Sequence, residues 1–149
     1  MIHEQLTCDL KEAMINKDTA KSTLVRTLNA AIHNREIELC ATGEEMTEAI
    51  MEDVLRKEAK KRKESAELFI QGGRQDLADQ ENSERVYIES LLPPTLSDAE
   101  LSAIVDNCIQ STGASSPADF GVVMKAVMEA SGGRADGKVV SGLVKQRLS

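Results

Sequence analysis

Aromatic side chains are nearly absent from this chain. Its 149 residues include no Trp, one Tyr (Tyr87) and two Phe (Phe69 and Phe120). A core short of rings must be filled by Leu, Ile, Val, Met and Ala, which favours helices over a sandwich or barrel. With those three rings expected in the core, no platform is left for stacking unpaired bases. Proline occurs only at Pro93, Pro94 and Pro117. The cysteines Cys8, Cys40 and Cys108 are odd in number and lack C-x-x-C spacing. They predict a reduced, cytoplasmic protein with buried thiols. No apolar run approaches the roughly 20 residues of a membrane span. The opening "MIHEQLTCDLKEAM" lacks the charged-then-apolar order of a signal peptide. Basic charge is also in deficit, with 25 acids against 18 bases and a net charge of −7. That argues against indiscriminate nucleic-acid binding but leaves room for a local basic patch.

What is present is helical periodicity. Leu6, Leu10, Ala13 and Met14 share one face of a first helix over about 2–16. Leu24, Val25, Leu28, Ile32 and Leu39 mark a second over about 19–39. Thr47 can cap a third, which Gly72-Gly73 stops, and a fourth runs from about 76 to 91. Pro93-Pro94 then removes two backbone donors and forms the strongest boundary. Beyond it, Ser97-Asp98-Ala99-Glu100 is a capping-box pattern opening a helix that ends at Gly113. Ser116-Pro117 opens another, with Phe120, Val123, Met124, Val127 and Met128 on its apolar face, and a last helix carries Val140, Leu143, Val144 and Leu148. The prediction is an all-α chain with an N-terminal helical domain over 1–92 and a small helical bundle over 95–149. The first 94 residues hold 19 acids and 13 bases, the remainder 6 and 5. Arg134, Lys138, Lys145 and Arg147 are therefore the bases least masked by acids.

Few motifs carry chemistry. Gly132–Lys138, "GGRADGK", is nearly a P-loop, but the segment before it is helical in spacing and Val139 stands where magnesium needs Ser or Thr. As a connector, the same stretch gives a glycine stop and an Asp136 cap; as a basic loop entering a helix, it can hold a phosphate. His3 and His33 have no ligand partners at metal spacing beyond His33-x-x-Glu36, so no metal site is expected. No nucleophile motif appears, so no catalytic residue and no cofactor is assigned.

Six bases crowd Arg56–Lys63. The spacing of Glu52–Arg56, Asp53–Lys57, Lys60–Glu64 and Lys63–Glu67 suits i,i+4 ion pairs on a solvated face, while a phosphate-contacting role stays open. Arg62 differs, falling on the apolar stripe of Met51, Leu55, Ala66 and Phe69. A buried arginine needs a carboxylate, for which Glu81 and Glu84 are the candidates.

Gly121–Lys125, Gly133–Lys138, Val140 and Leu143 together resemble the GatB/YqeY domain. "LRKEAKKRKES" (55–65), "GGRQDLADQE" (72–81) and "LLPPTLSDAEL" (91–101) resemble freestanding YqeY-like proteins. The resemblance covers essentially the whole chain in order. It implies a helical N-terminal domain and a bundle similar to the tRNA-contacting tail of the GatB subunit of the glutamyl/aspartyl-tRNA amidotransferase. That enzyme's inherited label is carbon-nitrogen ligase activity with glutamine as amido-N-donor, but its catalytic domains have no counterpart here. Where the tail has Ala-Asn-Pro, this chain has Ala135-Asp136-Gly137, and the aspartate lowers local positive charge. The implied function is a non-catalytic, tRNA-associated protein that acts beside an aminoacyl-tRNA synthetase or amidotransferase. Its RNA-binding candidates are Arg134 and Lys138, with Lys125 and Lys145, and Gly133 letting the backbone approach. The competing expectation is a protein–protein adaptor on a translation enzyme, without RNA contact.

Overall fold

The computed structural model describes residues 1–149 and contains seven α-helices and no strand. They are α1 (Ile2–Ile15), α2 (Thr19–Thr42), α3 (Glu48–Gln71), α4 (Gln75–Ser90), α5 (Asp98–Thr112), α6 (Phe120–Ser131) and α7 (Gly137–Leu148). A 3-10 turn over Pro117–Asp119 precedes α6. That segment was expected to begin an α-helix directly. Instead the Asp119 carboxylate reaches back to the Ser115 and Ser116 N–H groups at 3.0 and 3.1 Å, which tightens the first turn. The chain divides into two compact units, Met1–Leu92 and Pro93–Ser149.

In the first unit, α1 to α4 enclose a core of Ile2, Leu6, Leu24, Val25, Leu28, Ile32, Val54, Leu55, Ala59 and Ile88. Burying each Leu or Ile contributes about 1.5–3 kcal/mol before entropy is counted. α1 starts against Glu48, whose Oε1 accepts the Ile2 N–H at 2.8 Å. α2 is capped by Asp18 and runs three residues beyond Leu39 to Gly43, which takes φ +78°. Glycine adopts that conformation without a Cβ clash. One polar contact ties α1 to α4: Tyr87 donates its hydroxyl to buried Asp9 at 2.6 Å, and Gln5 donates to the same carboxylate at 2.9 Å. Burial, then the hydrogen bond to Asp9 and its charge, push the Tyr87 phenol well above its usual range.

Arg62 is buried as the stripe predicts. Its Nε donates to Glu84 at 3.0 Å and its Nη1 to Glu58 at 2.8 Å. Glu84 is therefore the partner across the α3–α4 pair, Glu81 takes no part, and Glu58 is the partner that sequence reasoning missed. Burial alone would raise the Glu58 pKa, but hydrogen bonds from Lys61 and Arg62 outweigh it and hold the carboxyl below its usual range. The basic run pairs through Arg56–Glu52 and Lys57–Asp53 as spaced. Lys61 turns to Glu58 instead, and the Lys60–Glu64 and Lys63–Glu67 pairs do not form.

Several burial expectations need correction. Tyr87 and Phe120 pack against the two cores as expected, though half-buried, while Phe69 is half-buried and joins neither. Cys8 and Cys40 are exposed and only Cys108 is buried, with its thiol pKa pushed up by desolvation. Met14 is exposed because Ala13 takes the core position beside it.

The second unit packs α5, α6 and α7 around Leu101, Val105, Cys108, Val123, Val127, Val140, Val144 and Leu148. Valine loses side-chain freedom in a helix, so these helices lean on packing and on their caps. Ser97 and Glu100 form the capping box in full: Ser97 Oγ accepts the Glu100 N–H at 3.3 Å, and Glu100 accepts the Ser97 N–H at 2.9 Å.

Candidate nucleic-acid interface

The glycine-rich loop joins α6 to α7. Gly132 and Gly133 lie at φ +58° and +75°, the left-handed region that ends α6. A helix, not a strand, therefore stands where a P-loop needs its strand. Arg134 follows, half-buried, and its Nε donates to the Ser131 carbonyl at 3.2 Å. Its own carbonyl accepts the Leu96 N–H at 3.3 Å, so the loop is anchored to the segment before α5. Arg134 is thus partly a framework residue, and its charge also helps hold the Glu100 carboxyl low, after the Ser97 contacts.

The first turn of α7 does not offer a vacant anion seat. The Asp136 carboxylate accepts the Lys138 N–H at 2.8 Å, occupying the end of the helix where a phosphate was expected. A negative side chain there is favoured by the helix dipole. A phosphate at this loop would meet side-chain charge rather than a free helix end.

That charge is unusually free. Three of the six acids of this unit face backbone N–H groups. Glu100 and Asp119 are held below the usual carboxylate range by the backbone N–H groups of Ser97 and of Ser115 and Ser116, and Asp136 caps α7. Asp106 takes the guanidinium of Arg147, which also donates to Ser102 at 2.7 Å. Arg147 is thereby withdrawn from the set expected to be unmasked. No carboxylate lies within ion-pairing distance of Lys125, Arg134, Lys138 or Lys145; Arg147 is the paired base of the unit.

Lys138 and Lys145 are exposed and seven residues apart on α7, so they stand on one face two turns apart. Ser141 and Gly142 lie between them, and a Cβ added at Gly142 would meet open space. The Lys145 ammonium sits 5.8 Å from the Phe120 ring centroid. Sequence reasoning missed this contact, although Phe120 just beyond the Pro117 turn was its available signal. Lys125 is exposed on α6, roughly opposite the buried Val123 and Val127. Gly133 is half-buried at the bend. The structure thus groups Lys138 with Lys145, holds Arg134 at the loop base, and puts Lys125 on a different helix.

Elsewhere, His33 Nδ1 lies 3.3 Å from Glu36 on an exposed helix face, and no third His, Cys, Asp or Glu gathers with them. No helix is long and apolar enough to cross a membrane.

Comparison with known proteins agrees with this architecture. The family model described as "Yqey-like protein" matches residues 3–148. A relative from Lachancea thermotolerans, "Altered inheritance of mitochondria protein 41, mitochondrial", is 38% identical over 73% of this chain and 58% of its own length. Proteins of the same name from Clavispora lusitaniae and Kluyveromyces lactis are 40% and 30% identical over 64% and 92% of this chain. The match covers 55% of the Clavispora protein and 70% of the Kluyveromyces protein. The chain spans little more than half the length of the first of these relatives.

Proposed function

The chain belongs to the YqeY-like protein family, and on that premise we propose that it is a non-catalytic, tRNA-associated helical protein. Its C-terminal unit contacts phosphate through Lys138 and Lys145, with Arg134 at the loop base, Lys125 on α6 and Gly133 shaping the bend. The observation that carries this reading is the division of labour among charges. Three of the unit's six carboxylates, Glu100, Asp119 and Asp136, are drawn onto helix ends, a fourth pairs with Arg147, and four of its five bases are left without ion pairs. An aminoacyl-tRNA synthetase or amidotransferase is the proposed partner, and no catalytic step is assigned to this chain. The exposed thiols of Cys8 and Cys40 suit a reducing cytoplasm. The mitochondrial names of the fungal relatives supply the competing location, and imaging a tagged chain separates the two.

The adaptor reading has one observation in its favour. Leu68, Ile70 and Val86 of the first unit are 66%, 52% and 59% exposed, apolar side chains that a docked partner would cover. Titrating the protein with bulk tRNA at low and at physiological salt separates the readings. Binding at low salt that weakens as salt rises supports the RNA function. No binding at low salt, with or without a partner synthetase or amidotransferase, leaves the adaptor.

A further inference from the structure

The two aromatic rings best able to stack a base are each covered by a lysine. Lys21 lies 5.8 Å from the Tyr87 ring centroid, and the Tyr87 hydroxyl is committed to Asp9. Lys145 lies 5.8 Å from the centroid of Phe120, the single aromatic residue of the second unit. Phe69, the third ring, is half-buried in α3 of the other unit. A base stacking on Phe120 must therefore displace the lysine that would otherwise meet a phosphate. Stacking and phosphate contact compete for one side chain.

The rest of the α7 face points the same way. Recognition of unpaired RNA relies on bases splayed onto aromatic or guanidinium planes and hydrogen-bonded at their edges. Between Lys138 and Lys145 stand Ser141 and Gly142, which offer one small hydroxyl and no side-chain amide or carboxylate. The low profile lets a sugar–phosphate backbone lie close to the helix. The two lysines of α7 offer charge without a plane on which a base can stack, so this helix face responds to charge density. A duplex presents about one charge per 1.7 Å of axis, about twice the density of one strand.

We infer that the RNA element held by the α7 face is a base-paired helix, gripped through its phosphates, rather than an unpaired loop or tail. This rests on the RNA reading proposed above and narrows it.

Three fluorescent probes test it by anisotropy at low salt: bulk tRNA, a short blunt RNA duplex, and one strand of that duplex alone. The duplex is expected to bind within about threefold of tRNA, and the single strand about threefold or more weaker, the direction set by the difference in charge density. Replacing Lys138 and Lys145 together by Ala should remove most of the duplex affinity while circular dichroism stays unchanged. Single-strand affinity equal to or above that of the duplex overturns the inference while leaving the RNA function standing. Duplex affinity indifferent to the two lysines overturns the placement on α7. Failure of all three probes to bind, with or without a partner synthetase or amidotransferase, removes the RNA function itself.

Discussion

The two units spend their carboxylates differently. In Met1–Leu92, the engaged acids meet mainly side-chain cations: Glu58 and Glu84 enclose Arg62, and Glu52, Asp53 and Glu38 take Arg56, Lys57 and Arg35. In Pro93–Ser149, Glu100, Asp119 and Asp136 meet backbone N–H groups at the starts of helices. The first arrangement neutralises bases, whereas the second leaves them exposed. The cores differ in parallel. Leu and Ile dominate the first, while five of the eight buried residues of the second are Val, which makes its helices more dependent on their caps. Net charge alone conceals this, because a nearly neutral unit can still present a cationic face when its acids are engaged elsewhere.

Breaking the buried network of the first unit should have the largest effect. Arg62→Ala leaves Glu58 and Glu84 without their guanidinium and should cost about 3–5 kcal/mol in urea unfolding. Lys57→Ala removes a pair whose members are 68% and 56% exposed, and should cost under about 1 kcal/mol. Equal, small losses for both would show that burial of Arg62 carries no energetic weight.

Tyr87→Phe comes next. It removes a hydrogen bond to a buried carboxylate and should cost about 1.5–3 kcal/mol, the usual range when one partner is charged. A variant as stable as wild type would mean that α1 is held to α4 by apolar packing alone.

The second unit is sharpened by Asp136, where stability and binding should move apart. Asp136→Ala should cost about 1 kcal/mol through the lost cap. Asp136→Asn keeps a capping oxygen, so stability should hold while tRNA affinity rises on losing a negative charge. A fall in affinity for the Asn variant would mean that the aspartate itself contacts the ligand.

Acid should produce the most gradual response. Glu58, Glu100 and Asp119 all sit below their ordinary values when folded. Each therefore contributes stability that is complete above its unfolded pKa, near 4.5 for Glu and 3.8 for Asp, and is lost as pH falls through the lower folded value. Thermal unfolding should be flat in this respect above about pH 5 and decline below it. A midpoint rising on acidification below pH 4 would contradict these contacts.

The helices were legible where punctuation is strong. Gly43, Gly113 and Gly132 end α2, α5 and α6 in the left-handed conformation, and the Ser97–Glu100 box opens α5. The misplacement of Arg62 on an apolar stripe correctly announced a buried ion pair. Its full partner set was hidden, because Glu58 lies one turn back on the same helix and its burial depends on the fold. The Asp9–Tyr87 contact was equally hidden, joining residues 78 apart in sequence. At the candidate interface, residue types were legible but their engagement was not. Nothing local distinguishes Arg147, held by Asp106, from Lys145, free of acids and resting on Phe120.

Whether the unpaired lysines of α7 grip RNA is decided by the salt dependence of tRNA binding, measured for wild type and for the Lys138→Ala/Lys145→Ala variant. Wild type should give a log–log slope between about −2 and −3, shallow because few phosphates are met, and the variant should be shallower by about 1.4–1.8 at two lost contacts. Identical slopes for the two proteins would contradict the account.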